Sequence, residues 1–317
     1  AARRLAARGI ADPAWATQLA TPPEVLDAWA LTDAYGDQDA YYVAFRYPGR
    51  APHVLMALID RNIGGIVKDA FCASPSEDVR ARAETLPGTI VADAGPGRAA
   101  AEIVRASKIG DQYLDNDWTQ DFKDTRALLL ARIATIPHEP LPEHEPMDQA
   151  ERERIVREFV AASAREDDEI VAGIASACLD YACDYTPDGD PFRWSPIAVE
   201  CFLMGWLPRK VMLDAGEIRA MPTVMMEWVE FALTRRGLPP ELVEETKRAV
   251  DRWMPEFRRA ATDHRSFGPA KAIASAMAAS GVDLGDRAAV AAWIDEFNRR
   301  PVDERDEVLG PSPFDLE

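Results

Sequence analysis

Cysteine and histidine are scarce in this 317-residue chain, with four of each. So few cysteines cannot form the disulfide framework of a small secreted scaffold. No CxxC pair occurs, which argues against a zinc knuckle. Cys72, Cys178, Cys183 and Cys201 sit in apolar or helical stretches. All four read as buried, reduced thiols, the condition of a cytoplasmic protein. Positive charge is also short: 36 Lys and Arg stand against 54 Asp and Glu, a formal charge of −18. A nucleic-acid backbone rewards clustered cations, and an anionic membrane repels a surface of this sign, so neither is an expected partner. No apolar stretch reaches the roughly 18 residues of a spanning helix, and no signal peptide is read at the start. Repeats of fixed period and low-complexity segments are missing as well.

What remains is ordinary globular composition, 47% hydrophobic and 28% charged. The acidity is local. Residues 101–200 carry 22 acids against 10 bases, a net of −12, and residues 301–317 carry 6 against 1. Residues 201–300 are nearly neutral, 14 against 15.

Periodicity divides the chain in two. Residues 1–9 and 22–32 look helical, with Pro13 and Pro22-Pro23 as punctuation. Residues 40–47, rich in aromatic and β-branched side chains, read as a strand, and the apolar run 53–60 as a central one. Residues 63–73 read as a third strand with a bulge at Gly64-Gly65, completing an antiparallel meander. A helix at 76–86, a strand at 89–93 and helices at 98–107 and 124–135 follow. Residues 137–147 hold four prolines and no apolar period, so they read as an extended acidic linker.

Beyond the linker every pattern is helical. Asp148 and Glu151 form a capping box before Ile155, Val156 and Phe159. Ser195-Pro196 opens IAVECFLMGWL, which is apolar all round and reads as a buried central helix stopped by Pro208. Helices near 222–236, from Pro240 with a kink at Pro255, 269–280 and 286–299 complete the set. The expected class is α+β: a domain 1–136 with a small antiparallel sheet, the linker 137–147, and an all-helical domain 148–317 with an acidic tail.

Several constellations could carry chemistry. Thr89 to Ala99 (TIVADAGPGRA) runs from strand through Gly-Pro-Gly to helix, and it resembles the first motif of S-adenosylmethionine-dependent methyltransferases. It also fits the looser GxGxxA of dinucleotide-binding folds through Gly95, Gly97 and Ala100. The resemblance implies that Asp93, Gly95 and Gly97 bind the cofactor; it covers about 11 residues. The second parallel strand that such folds need does not follow, so a plain strand-to-helix turn is the expectation and no cofactor is expected. Asp111, Asp115, Asp117, Asp121 and Asp124 are dense, but they lack the glycine and terminal Glu of a calcium loop. Asp167-Asp168 lacks the third acid of the terpenoid-synthase DDxxD pattern. His138 and His144 share the linker, where nothing preorganises ligands. No metal site is expected.

Two places break the local pattern, and such breaks are where function hides. Lys68 and Asp69 interrupt an apolar strand beyond Asp60; they read either as a polar cleft, with Lys68 as cation and Asp60 or Asp69 as acid or base, or as an edge ion pair. Glu200 is the one charge in IAVECFLMGWL. Buried, it needs a partner, and Arg193 or Arg209 is expected to supply a structural ion pair beside Trp194 and Trp206.

The function expected first is a soluble interaction or regulatory protein that presents acidic residues, Asp111, Asp115, Asp117 and Asp121, with Phe314 and Leu316 of the tail, to a basic protein partner. The competing expectation is a small-molecule enzyme with a cleft between the domains, using Lys68, Asp69 and Glu200. Oligomeric state is open.

Overall fold

A computed structural model describes residues 21–309, except 74–75, 86–87, 114–117, 143–144 and 164–167. The chain divides into two compact units, residues 1–144 and 145–317, and its class is α+β.

The first unit is built on a five-stranded antiparallel sheet in the order β4-β3-β2-β1-β5. Its strands are β1 (Glu24–Asp33), β2 (Gln38–Arg46), β3 (His53–Asp60), β4 (Ile66–Ala73) and β5 (Thr89–Asp93). The helical reading of residues 22–32 is therefore corrected. EVLDAWALTD is Ala- and Leu-rich, but Trp29 and Leu31 alternate with Ala28 and Ala30 across two apolar layers, and neighbours on both edges satisfy its backbone. Tertiary pairing overrides local propensity. β3 lies where the apolar run places it. Gly64 and Gly65 lie in the β3–β4 turn with φ of 92° and 74°, and the bulge is displaced from them. Leu58 pairs with Asp69 and Ile59 with Val67, which leaves Lys68 as the extra residue.

One sheet face buries Tyr41, Val43, Phe45, Leu55 and Ala57 under α2 (Pro96–Gly110) and α3 (Gln120–Ile133), through Ile103, Phe122, Leu129 and Ile133. The other face carries Trp29, Tyr42 and Met56, with Val79 and Ala83 of α1 (Ser76–Ala83). Trp29 and Tyr42 stack, with centroids 5.1 Å apart.

The described part of the second unit is helical: α4 (Gln149–Ser163), α5 (Asp168–Asp184), α6 (Pro196–Glu200), α7 (Leu207–Lys210), α8 (Ala215–Arg235), α9 (Pro240–Thr262), α10 (Pro269–Ala279), α11 (Arg287–Arg299) and α12 (Val302–Leu309). α4 opens where the capping pattern puts it, Asp148 Oδ1 accepting the Glu151 N–H at 2.7 Å. α8 starts seven residues before its expected position and carries Pro222 inside; a full capping box of Asp214 and Glu217 fixes the true start. Pro208 does not stop the helix before it. In an α-helix its ring would strike the carbonyl four residues back, and it has no N–H to give. The chain instead widens into a π-helical stretch, Cys201–Trp206, in which the Leu207 N–H reaches Phe202 O. Beyond it, Lys271 is buried: Nζ donates to Pro208 O at 2.8 Å and lies 4.1 Å from the centroid of the Phe267 ring. Burial pulls the ammonium's pKa down.

Two readings of burial are also corrected. Cys178 and Cys183 are buried, but Cys72 is exposed and Cys201 half-buried. The stretch after Ser195 is amphipathic rather than apolar all round: Ala198, Val199, Phe202 and Leu203 are buried, while Ile197 and Gly205 face out. No described helix is long and apolar enough to cross a membrane.

Candidate functional site

At one end of the sheet the loops bring acids together, and each acid has its partner. Asp60 is buried; its Oδ2 accepts from Lys68 Nζ at 3.0 Å and Gln38 Nε2 at 2.9 Å, and its Oδ1 from the Asn62 N–H at 3.0 Å. The bulge is what turns Lys68 toward it. Asp39 is clasped by Arg61 through Nε at 3.0 Å and through Nη2. Asp33 accepts the N–H groups of Tyr35 and Gln38, at 2.8 and 2.6 Å. On α2 the buried Glu102 lies between Arg98 at 2.7 Å and Arg105 at 2.5 Å. Burial, with the Asp39 and Glu102 carboxylates, pushes the Tyr41 phenol up to about 12.

Lys68 of the edge strand β4 and Asp60 at the end of β3 thus come together as an ion pair. Asp69 turns to α3 instead: its Oδ1 accepts from Thr119 Oγ1 at 2.5 Å and the Ala70 N–H at 2.9 Å, while Thr119 caps that helix at Phe122. Glu200 lies in the second unit and is exposed. Its expected pairing is corrected: the buried Arg193 bonds Asp188 at 2.9 Å, and Arg209 is exposed, its carbonyl accepting the Gly268 N–H at 3.1 Å. Helical rotation accounts for it, since Glu200 falls beside the buried Ala198, Val199, Phe202 and Leu203, not among them.

Around Asp93, Gly95 and Gly97 the pairing is antiparallel, β5 running against β1. The close approach that Gly97 permits is taken by the linker: a Cβ there would meet Glu139 Cγ at 2.8 Å and Pro137 O at 3.0 Å. Asp111 is paired with Arg126 at 2.6 Å, and Asp121 lies in the first turn of α3. Asp115, Asp117, Phe314 and Leu316 lie outside the described residues. No group of His, Cys, Asp and Glu suited to a metal occurs among the described residues.

The second unit holds a feature that the sequence did not single out, an open groove of about 500 Å³ between α4 and α8. Phe159 and Phe231 form its floor, 5.4 Å apart edge to face, and the buried Trp228 meets Phe159 edge to face at 5.1 Å and Phe231 at a tilt at 5.8 Å. Glu227 and Glu230 of α8 stand on the rim. Arg235 lies over the Phe231 ring at 5.1 Å and bonds Glu158 at 2.5 Å. That guanidinium holds the Glu158 carboxyl below its ordinary pKa. The signal was present: Glu227, Phe231 and Arg235 recur every four residues, one step off the buried stripe of Val224, Trp228 and Ala232. A smaller hollow of about 270 Å³ between α4 and α5 is lined by Arg152, Val156, Leu179 and Asp180. Arg152 is already bound to Asp180 and Asp184 there.

Comparison with protein-family models, with curated proteins and with solved structures finds no match.

Proposed function

We propose that this protein binds a basic protein partner, and that the α4–α8 groove seats a cationic segment of that partner. The observation that carries this reading is Arg235 lying over Phe231 within reach of Glu158. The chain's own guanidinium occupies one side of an aromatic floor flanked by carboxylates, and an incoming Arg or Lys meets the same chemistry beside it. A cation over an aromatic face gains about 0.5–2 kcal/mol, depending on how far it is desolvated. The unit that holds the groove carries the right sign. Residues 145–317 hold 34 acids against 21 bases, a net of −13, while residues 1–144 hold 20 against 15, a net of −5. Such a field steers a basic partner and raises its on-rate.

The test uses a fluorescent amphipathic peptide of Leu, Phe and Arg, with the full chain titrated in at low salt. Binding that weakens as salt rises is expected. The decisive variant is Phe231→Asp. It makes the protein more acidic, so attraction to diffuse charge alone predicts tighter binding, whereas a seat on the aromatic floor predicts roughly tenfold weaker binding. Unchanged or tighter binding by Phe231→Asp overturns the proposal.

A further inference from the structure

Arg235, in the last turn of α8, lays its guanidinium on two half-buried rings, 5.1 Å from the centroid of Phe231 and 5.2 Å from that of Phe192. The two rings lie 6.3 Å apart and meet at 71°, so they form two walls around the cation. Glu158 Oε2 accepts from Nη1 at 2.5 Å. This is the chemistry of a guanidinium seat: a flat cation covers aromatic faces while its rim donates to a carboxylate. A lysine ammonium can pair with Glu158, but it has no plane to lay on either ring.

The seat is cheaply vacated. Its ion pair lies at the solvent, with the Arg235 side chain 34% and the Glu158 side chain 38% exposed, and pairs of that kind contribute little. Glu158 also keeps a cation when Arg235 leaves, because Arg154 bonds its other oxygen, Oε1. Release therefore strands no buried charge.

We infer that Arg235 is a built-in occupant of an arginine seat formed by Phe192, Phe231 and Glu158, and that an arginine of the basic partner takes the seat by exchange. The inference rests on the proposed binding of a cationic segment in this groove, and it adds the regulation and the selectivity of that site. A cation that arrives beside Arg235 meets a like charge. The apparent affinity of the chain is reduced in proportion to how rarely the seat stands open. Arginine, not lysine, is the side chain that the seat selects.

The test titrates the full chain into the fluorescent Leu, Phe and Arg peptide and into a copy with every Arg replaced by Lys. Arg259→Ala, which removes the same charge from an exposed pair with Glu256 on α9, is the control. Arg235→Ala is expected to bind the arginine peptide roughly tenfold tighter than wild type, and Arg259→Ala less than about twofold tighter. The lysine peptide should gain no more from Arg235→Ala than from Arg259→Ala. Arg235→Lys keeps the net charge but gives up the plane, so it too should bind the arginine peptide tighter than wild type. Equal gains from Arg235→Ala and Arg259→Ala overturn the inference. So do equal gains for the two peptides, or an Arg235→Lys protein that binds no tighter than wild type. Wild type that binds neither peptide, beside an Arg235→Ala protein that binds the arginine one, overturns the proposed function and upholds the built-in occupant.

Discussion

Charge is used in opposite ways in the two units. At the end of the sheet, Asp39, Asp60 and Glu102 are buried and each is met by a cation, Arg61, Lys68, or Arg98 with Arg105. In the α4–α8 groove, carboxylates stand at an exposed rim above an aromatic floor, and Arg235 covers one part of it. A buried charge with a full set of partners is spent on holding the fold, because separating it leaves an ion in low dielectric. In the groove the ion pairs, Glu230 with Lys247 and Glu158 with Arg235, lie at the solvent, where an ion pair is worth little and is cheaply exchanged for another. The contrast is the reason for proposing the binding site in the second unit, although the pattern-breaking residues Lys68 and Asp69 lie in the first.

The sharpest way to break the contrast is at Asp60. Asp60→Ala strands Lys68, Gln38 and the Asn62 N–H, and it should cost about 3 kcal/mol in denaturant unfolding. That is the low end for a buried pair, because Lys68 reaches solvent, and peptide binding at the groove should be unchanged. Tyr41 gives a pH signature of similar size. Below pH 10 the folded and unfolded chains both keep the phenol proton; between 10 and about 12 only the folded chain does, so rising pH favours unfolding. Wild type should lose about 3 kcal/mol across that window relative to Tyr41→Phe, two pKa units at about 1.4 kcal/mol each. The equivalent denaturant midpoints at pH 9 and 12 check this. Phe231→Asp should reverse the pattern, costing about 1 kcal/mol of stability and most of the peptide affinity. Glu200→Gln should change neither by more than about 0.5 kcal/mol, because Glu200 is exposed. A larger loss on thermal melting would mean that the residue is held after all.

These comparisons also show what a sequence can disclose. β3 was readable because a continuous apolar run of strand length has one use in a sheet buried on both faces, and α4 because its cap is local chemistry. β1 was not, since Ala and Leu favour a helix until β2 and β5 flank the chain, and that pairing is non-local. Lys68 and Asp69 were legible as a break in the strand pattern, but which acid Lys68 meets was not, and the bulge was misplaced because Gly64 and Gly65 serve the turn instead. Glu200 misled because composition cannot say which way a helix is rotated. The groove escaped notice for a related reason: Phe159 reads as core in its own helix, and only packing against α8 shows that Phe231 extends the same aromatic cluster outward.

Hydrogen–deuterium exchange of the full chain, with and without the basic aromatic peptide at saturation, tests the central claim most directly. The account predicts slowed exchange confined to residues 156–163 of α4 and 227–235 of α8, with residues 38–61 unchanged. Protection spread along the acidic stretch of residues 101–133, or at the sheet end around Asp39 and Asp60, would contradict it.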